Sequence, residues 1–143
     1  MKHTITERKN IYKAVLKLKG AEAVKIKAIE EFSELATEVS KIINGYADDG
    51  NNQFIDELAD AYIMSEQLIE LKKAERLQTY YQKKYTNSDL LKDLAKVSFW
   101  LSRDQINTSI HVVLSQFCER HGAFKRVDYK LNRLKERLKN KEV

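Results

Sequence analysis

Phe54-Ile-Asp-Glu-Leu-Ala-Asp-Ala-Tyr-Ile-Met64 decides how this chain is read. On a helical wheel at ~100° per residue, Glu57 and Asp60 share an azimuth with Ala61, Met64, Leu68 and Leu71. A second apolar strip runs through Ile55, Leu58, Ala59, Tyr62 and Ile69. A helix that is apolar over so much of its circumference is a buried helix. An ionised carboxylate on such a face is costly unless it is paired or bound to metal.

The segment Ala28-Ile-Glu-Glu-Phe-Ser-Glu-Leu35 supplies the counterpart. Glu31 and Glu34 repeat the i, i+3 spacing of Glu57 and Asp60, which sets both members of a pair on one helix face. Around them Ile29, Phe32, Leu35, Ala36, Val39, Ile42 and Ile43 form a broad apolar face. Glu31 and Glu38 lie at its edge, Glu34 slightly further round and Glu30 further still. Packed together, the two acidic faces would make a four-carboxylate cluster, which needs a hard cation to balance it. Mg²⁺ or Mn²⁺ fits, and with it phosphate chemistry. The plain alternative is that Glu34 pairs with a lysine and Glu57 merely favours a helix N-terminus. Two such pairs on successive helices, joined by the Gly/Asn/Asp-rich stretch 44–52, favour the metal.

The rest of the chain fits an all-α fold, a bundle of about five to six helices with a metal site between the two acidic ones. It has 143 residues, no proline and four glycines, and is rich in good helix formers. The expected helices run over about 6–18, 21–43, 52–84, 89–101, from 105 to 121, and along the basic C-terminus. Asn52 is the expected cap of the third helix, with Asp56 and Glu57 in its first turn. Thr86-Asn-Ser-Asp89 reads as a break and a cap, and Ser102-Arg-Asp-Gln105 as a capping box opening the fifth helix. One domain over 1–143 is expected: an acidic catalytic helix pair at 20–76, an extra helical segment at 77–124 and a basic helix at 125–143. No apolar run approaches ~18 residues, and the polar start is unlike a signal peptide, so a cytoplasmic protein without membrane contact is expected. Cys118 is the only cysteine, which excludes an intrachain disulfide; it reads as a small buried hydrophobe. No glycine-rich phosphate loop is present, and His3, His111 and His121 have no ligand spacing.

The net charge of +5 is concentrated at the end of the chain. From Lys125 to Lys141, eight basic residues face Asp128 and Glu136. Such a helix attracts nucleic acid, nucleotide phosphates or an acidic partner, or is a solvated face. A nucleic-acid-binding or regulatory helical protein is therefore the rival reading, with residues 88–122 as a helix-turn-helix. Against it, the presumptive reading helix has no Lys or Arg before Arg120, where phosphates would be gripped.

Glu30-Glu31-x-x-Glu34-Leu35, followed by Asp56-Glu57-x-x-Asp60-x-x-Ile63-Met64-x-x-Gln67-Leu68, resembles the MazG-like all-α nucleoside triphosphate pyrophosphohydrolases, in particular the small phage-type members. The match covers about residues 24–72, with a weaker echo in 129–138. The resemblance implies hydrolysis of a nucleoside triphosphate between the α and β phosphates, giving a monophosphate and pyrophosphate for nucleotide-pool control or housecleaning. It implies Glu31, Glu34, Glu57 and Asp60 as Mg²⁺ ligands, and a homodimer or homotetramer. Under this reading Glu30 or Glu38 is the candidate base. Lys27 is a phosphate contact or a partner of Glu31. Lys130, Arg133 and Arg137 are candidates to hold the leaving pyrophosphate, in their own subunit or in a neighbouring one. Tyr46, Phe54, Tyr62, Phe99 and Trp100 are candidates to stack on the base, or core residues. The long spacer at 77–124 departs from the short family pattern. It could replace a partner within the chain, extend a dimer interface or form a separate binding module.

Overall fold

The computed structural model describes residues 1–72 and 83–143. Among these residues the protein is all-helical. The six helices are α1 (Ile5–Lys19), α2 (Ala21–Ile43), α3 (Asn52–Lys72), α4 (Asn87–Leu101), α5 (Ile110–His121) and α6 (Phe124–Lys139).

The two apolar strips of α3 make it the central helix: it packs against α1, α2, α5 and α6, while α4 lies along α2. Its residues are buried without interruption from Ala61 to Ile69. Phe32 and Leu35 of α2, Leu58 and Leu68 of α3, Leu94 of α4, Phe117 of α5 and Leu131 of α6 belong to one core. Each such side chain contributes about 1.5–3 kcal/mol by leaving water. Cys118 is fully buried among them, and burial pushes its thiol pKa far up. Residues 83–124 are not an appendage, since α4 covers α2 and α5 covers α3.

Several boundaries differ from the sequence expectation. Asn51, not Asn52, caps α3: its Oδ1 accepts from the Phe54 N–H at 3.0 Å. Asp56 and Glu57 therefore lie beyond the first turn, where the macrodipole favours them little. The third helix does not reach Lys84, because 83–86 are non-helical; its expected continuation through Thr79-Tyr-Tyr81 lies outside the described residues. The Ser102-Arg-Asp-Gln105 stretch is a turn and not a cap. Asp104 takes a left-handed φ of 57°, the Ser102 hydroxyl donates back to the Phe99 carbonyl, and α5 starts only at Ile110. Residues 102–109 thus separate α4 from α5, well beyond the 3–4-residue turn of a helix-turn-helix. Ile43, expected on the apolar face of α2, is exposed. Thr86 and Asp89 do form the expected cap, a reciprocal capping box opening α4, and Thr4 and Glu7 form another on α1. Near the α2–α3 loop, a Cβ on Gly50 would stand 3.0 Å from His121 Nδ1. Glycine there lets the loop close on His121, which packs edge-on against Phe54.

Sequence reading gave no role to Glu66, yet among the described residues it is the most fully enclosed charge, at 0% exposure. Arg8 Nε donates to its Oε1 at 2.7 Å and the Tyr12 hydroxyl at 2.8 Å. The Tyr62 hydroxyl and His111 Nε2 each lie 3.5 Å from Oε2. Arg8 also donates to the His3 carbonyl, and His3 Nδ1 lies 2.7 Å from Asp128 of α6. This chain of polar contacts ties α1, α3, α5 and α6 together.

Removing Arg8 would take a buried cationic partner from a carboxylate at 0% exposure. Arg8→Met is expected to lower unfolding free energy by about 3 kcal/mol or more, measured by urea denaturation at pH 7. A loss below about 1 kcal/mol would show that the other partners of Glu66 suffice to hold it.

Candidate functional site

Glu31 and Glu34 rise from one edge of α2, and Glu57 and Asp60 from the facing edge of α3. One carboxylate oxygen from each of Glu31, Glu57 and Asp60 lies within 4.8 Å of the other two. Glu34 stands beside Glu31 and Glu57 on the exposed side. The expected four-acid assembly is thus a close triad with Glu34 at its open edge.

The triad is oriented by residues one helical turn away. Lys27 Nζ holds Glu31 Oε1 at 2.9 Å, and Gln53 Nε2 donates to Glu57 Oε1 at 2.8 Å. The second oxygens, Glu31 Oε2 and Glu57 Oε2, are buried and have no hydrogen-bond partner. Glu31 itself is only 7% exposed. Two buried, unpaired oxygens on carboxylates that approach each other this closely are costly. They are hard oxygen donors, as a divalent cation requires. Asp60 is handled differently: Lys130 of α6 lies 2.9 Å from it and 3.1 Å from Asp56. Arg126, one turn earlier on α6, pairs with Asp56 at 2.7 Å. Asp56 and Arg126 were missed as site residues in the sequence, which offers no periodic signal for a partner on another helix.

The electrostatics follow this layout. Burial raises the pKa of Glu57, the adjacent Glu34 carboxyl adds to it, and the charges of Asp60 and Glu31 bring it to about 7. Burial raises Glu31, Lys27 pulls part of that back, and Glu34 adds to the rise. Asp60 is also raised, mainly by burial and against the pull of Lys130. For Asp56, Arg126 and Lys130 outweigh burial and hold the carboxyl below its usual range. Burial disfavours the Lys27 ammonium, but Glu31 and Glu30 outweigh it and raise its pKa.

A cavity of about 510 Å³ opens beside the triad. Asp60, Ile63, Met64 and Gln67 line it from α3, and Lys130, Arg133, Leu134 and Arg137 from α6. Both sets have i, i+3, i+4, i+7 spacing, one stripe per helix. The pairs Asp56–Arg126 and Asp60–Lys130 advance together, so the two helices run parallel. Glu31, Glu30, Lys27, Val24 and Ala23 form the α2 wall, and Val15 and Lys19 of α1 close the far end. The three basic residues singled out in α6 therefore share a cavity with Glu31 and Asp60 of their own chain, whereas Glu34 and Glu57 are not among its lining residues. Of the two candidate bases, Glu30 lines the cavity, 3.2 Å from Lys27. Glu38 does not; it pairs with Lys41 at 3.0 Å. Among the described residues, no aromatic side chain lines the cavity. Phe54 and Tyr62 are core residues, while Tyr46, Phe99 and Trp100 are exposed elsewhere. No described helix is long and apolar enough to cross a membrane.

The raised pKa of Glu57 fixes a pH dependence. The folded chain holds this proton more tightly than the unfolded one, so between about pH 4.5 and 7 the folded state binds more protons. Stability of the metal-free protein is therefore expected to fall as pH rises through that window, by about 1–2 kcal/mol after allowing for the solvent that reaches the group. Glu57→Gln should flatten the slope and raise the melting temperature at pH 8. Melting curves between pH 4.5 and 8, with and without Mn²⁺, check this; an unchanged slope in the variant would overturn it.

Compared with known proteins, the chain matches no family model, no curated protein and no solved structure.

Proposed function

We propose that the protein is a metal-dependent nucleoside triphosphate pyrophosphohydrolase that cleaves between the α and β phosphates, releasing a monophosphate and pyrophosphate. The observation that carries this reading is the pair of buried, unpartnered oxygens, Glu31 Oε2 and Glu57 Oε2. Their carboxylates group with that of Asp60, and Glu31 and Asp60 of this group line a cavity whose α6 wall is basic. Acids that would hold a cation and bases that would hold phosphates face the same space, as hydrolysis of a phosphoanhydride requires. The resemblance of the two acidic segments to MazG-like enzymes supports the same reaction, and nucleotide-pool control or housecleaning as its use.

Glu31, Glu57 and Asp60 would hold Mg²⁺, or Mn²⁺, with Glu34 at the open edge. The bound ion would supply charge neutralisation at the phosphates and a more acidic water. Lys27 and Gln53 keep Glu31 and Glu57 turned inward by gripping their outer oxygens. Lys130 neutralises Asp60 and, since it lines the cavity, would contact a phosphate oxygen there. Arg133 and Arg137 at the exposed rim hold the departing pyrophosphate. Glu30 takes the proton of the attacking water, since Glu38 is turned away from the cavity. The homodimer or tetramer of the family belongs to this proposal, although the acidic and basic walls already meet within one chain.

The nucleic-acid reading has less support. The apolar face of α5 is spent on the core through Ile110, Val113, Leu114 and Phe117, and the α4–α5 link is too long for a helix-turn-helix.

The test is pyrophosphate release from a panel of standard and modified ribo- and deoxyribonucleoside triphosphates with Mg²⁺. Release should vanish with EDTA and fall at least about 100-fold in Glu57→Gln and Asp60→Asn, with helicity unchanged by circular dichroism. No release from any nucleotide by the folded wild-type protein would sink the reading. In the absence of nucleotide, Lys130→Met should bind Mn²⁺ more tightly, because a competing cation has been removed from Asp60. Weaker binding by this variant, read by electron paramagnetic resonance, would show that Lys130 organises the triad instead.

A further inference from the structure

Gln67 is a nearly buried residue whose amide faces the cavity. It is 8% exposed and lines the cavity, and no hydrogen bond of its side chain is found among the described residues. A carboxamide carries two N–H donors and a carbonyl acceptor. Its amide atoms are not among the enclosed unpaired ones, so on a side chain with little other exposure they open to the cavity and present that donor–acceptor set to whatever fills it.

Its place in the cavity is informative. Gln67 lies seven positions beyond Asp60 on the same stripe of α3, about 10.5 Å at the helical rise. That is comparable with the reach from the 5′-phosphate of a nucleotide to the far edge of its base. The floor between them is apolar: Ile63 and Met64 of α3, Val24 of α2 and Val15 of α1 are all buried. Lys19, Arg133 and Arg137 are exposed and stand at the rim. Phosphates suit that basic, wet rim. A flat heteroaromatic ring suits an apolar floor that ends in one donor–acceptor group.

We propose that Gln67 is the specificity-determining residue of the site, and that its carboxamide pairs with the hydrogen-bonding edge of the nucleobase. The inference rests on the nucleotide reading of the metal centre and adds the residue that reads the base. An amide offers one donor beside one acceptor, matching a base edge that does the same. A carboxylate in its place offers two acceptors, which match the adjacent N1–H and N2–H of guanine.

The test is calorimetric binding of the α,β-imido triphosphates of adenosine, guanosine, cytidine and uridine, and of inorganic tripolyphosphate, all with Mn²⁺. Wild type, Gln67→Met and Gln67→Glu are compared. The methionine variant keeps the shape and loses the hydrogen bonds, and it carries the test if the glutamate variant does not fold. Wild type should bind at least one nucleotide more tightly than tripolyphosphate. Gln67→Met should reduce that advantage about tenfold or more and leave tripolyphosphate binding unchanged. Gln67→Glu should shift the preference toward guanosine. If Gln67→Met keeps the full nucleotide advantage, or weakens tripolyphosphate equally, the assignment to the base is overturned. If wild type binds tripolyphosphate as well as any nucleotide, base reading fails while the phosphate site stands. If it binds Mn²⁺ but none of these ligands, the nucleotide reading fails and this inference with it.

Discussion

Glu31 and Glu57 meet across the seam between α2 and α3 with one buried oxygen apiece unpaired, and the mutual repulsion of that seam shapes what surrounds it. Lys27 and Gln53 take the outer oxygens. Lys130 and Arg126 reach in from α6 to neutralise Asp60 and Asp56. These contacts set the register of α6 against α3, and that register places Arg133 and Arg137 along the same cavity. The basic wall is thus a structural consequence of the acidic one. The apolar core could hold α6 in place through Val127 and Leu131, but apolar contacts are non-directional and set register less sharply than charge pairs.

Two acids of α3 differ in how far their hydrogen bonding is completed. Glu66 is fully enclosed, yet Arg8, Tyr12, Tyr62 and His111 surround it. Glu57, lower on the same helix, is less buried but keeps an oxygen with no partner. The same side chain is completed in one place and left incomplete in the other. Incomplete satisfaction costs stability, and that cost is what the proposed cation would remove.

Much of this architecture was legible in the sequence, because it is written in short-range periodicity. The two apolar strips of α3, the i, i+3 acid pairs and the Thr86–Asp89 cap each involve residues a few positions apart. What was not legible involves partners far apart in the chain, such as Arg8 with Glu66 and Arg126 with Asp56. No period links such residues; only packing does. Ser102-Arg-Asp-Gln105 misled for a related reason. It has the composition of a capping box, but the left-handed Asp104 turns the chain away before a helix can start. Gln67 was visible within the motif, but a wheel cannot tell a polar residue facing a cavity from one facing a partner.

The link between His3 and Asp128 has a consequence for how the chain folds. Backbone N–H groups of Lys2 and His3 both donate to that carboxylate, across a sequence separation of 125 residues in the case of His3. Closing so long a loop costs chain entropy that the adjacent-helix contacts of α2 with α3 avoid. The acidic seam is therefore a local product, available as soon as two neighbouring helices meet. The cavity is a global one, complete only once the two ends of the chain have found each other.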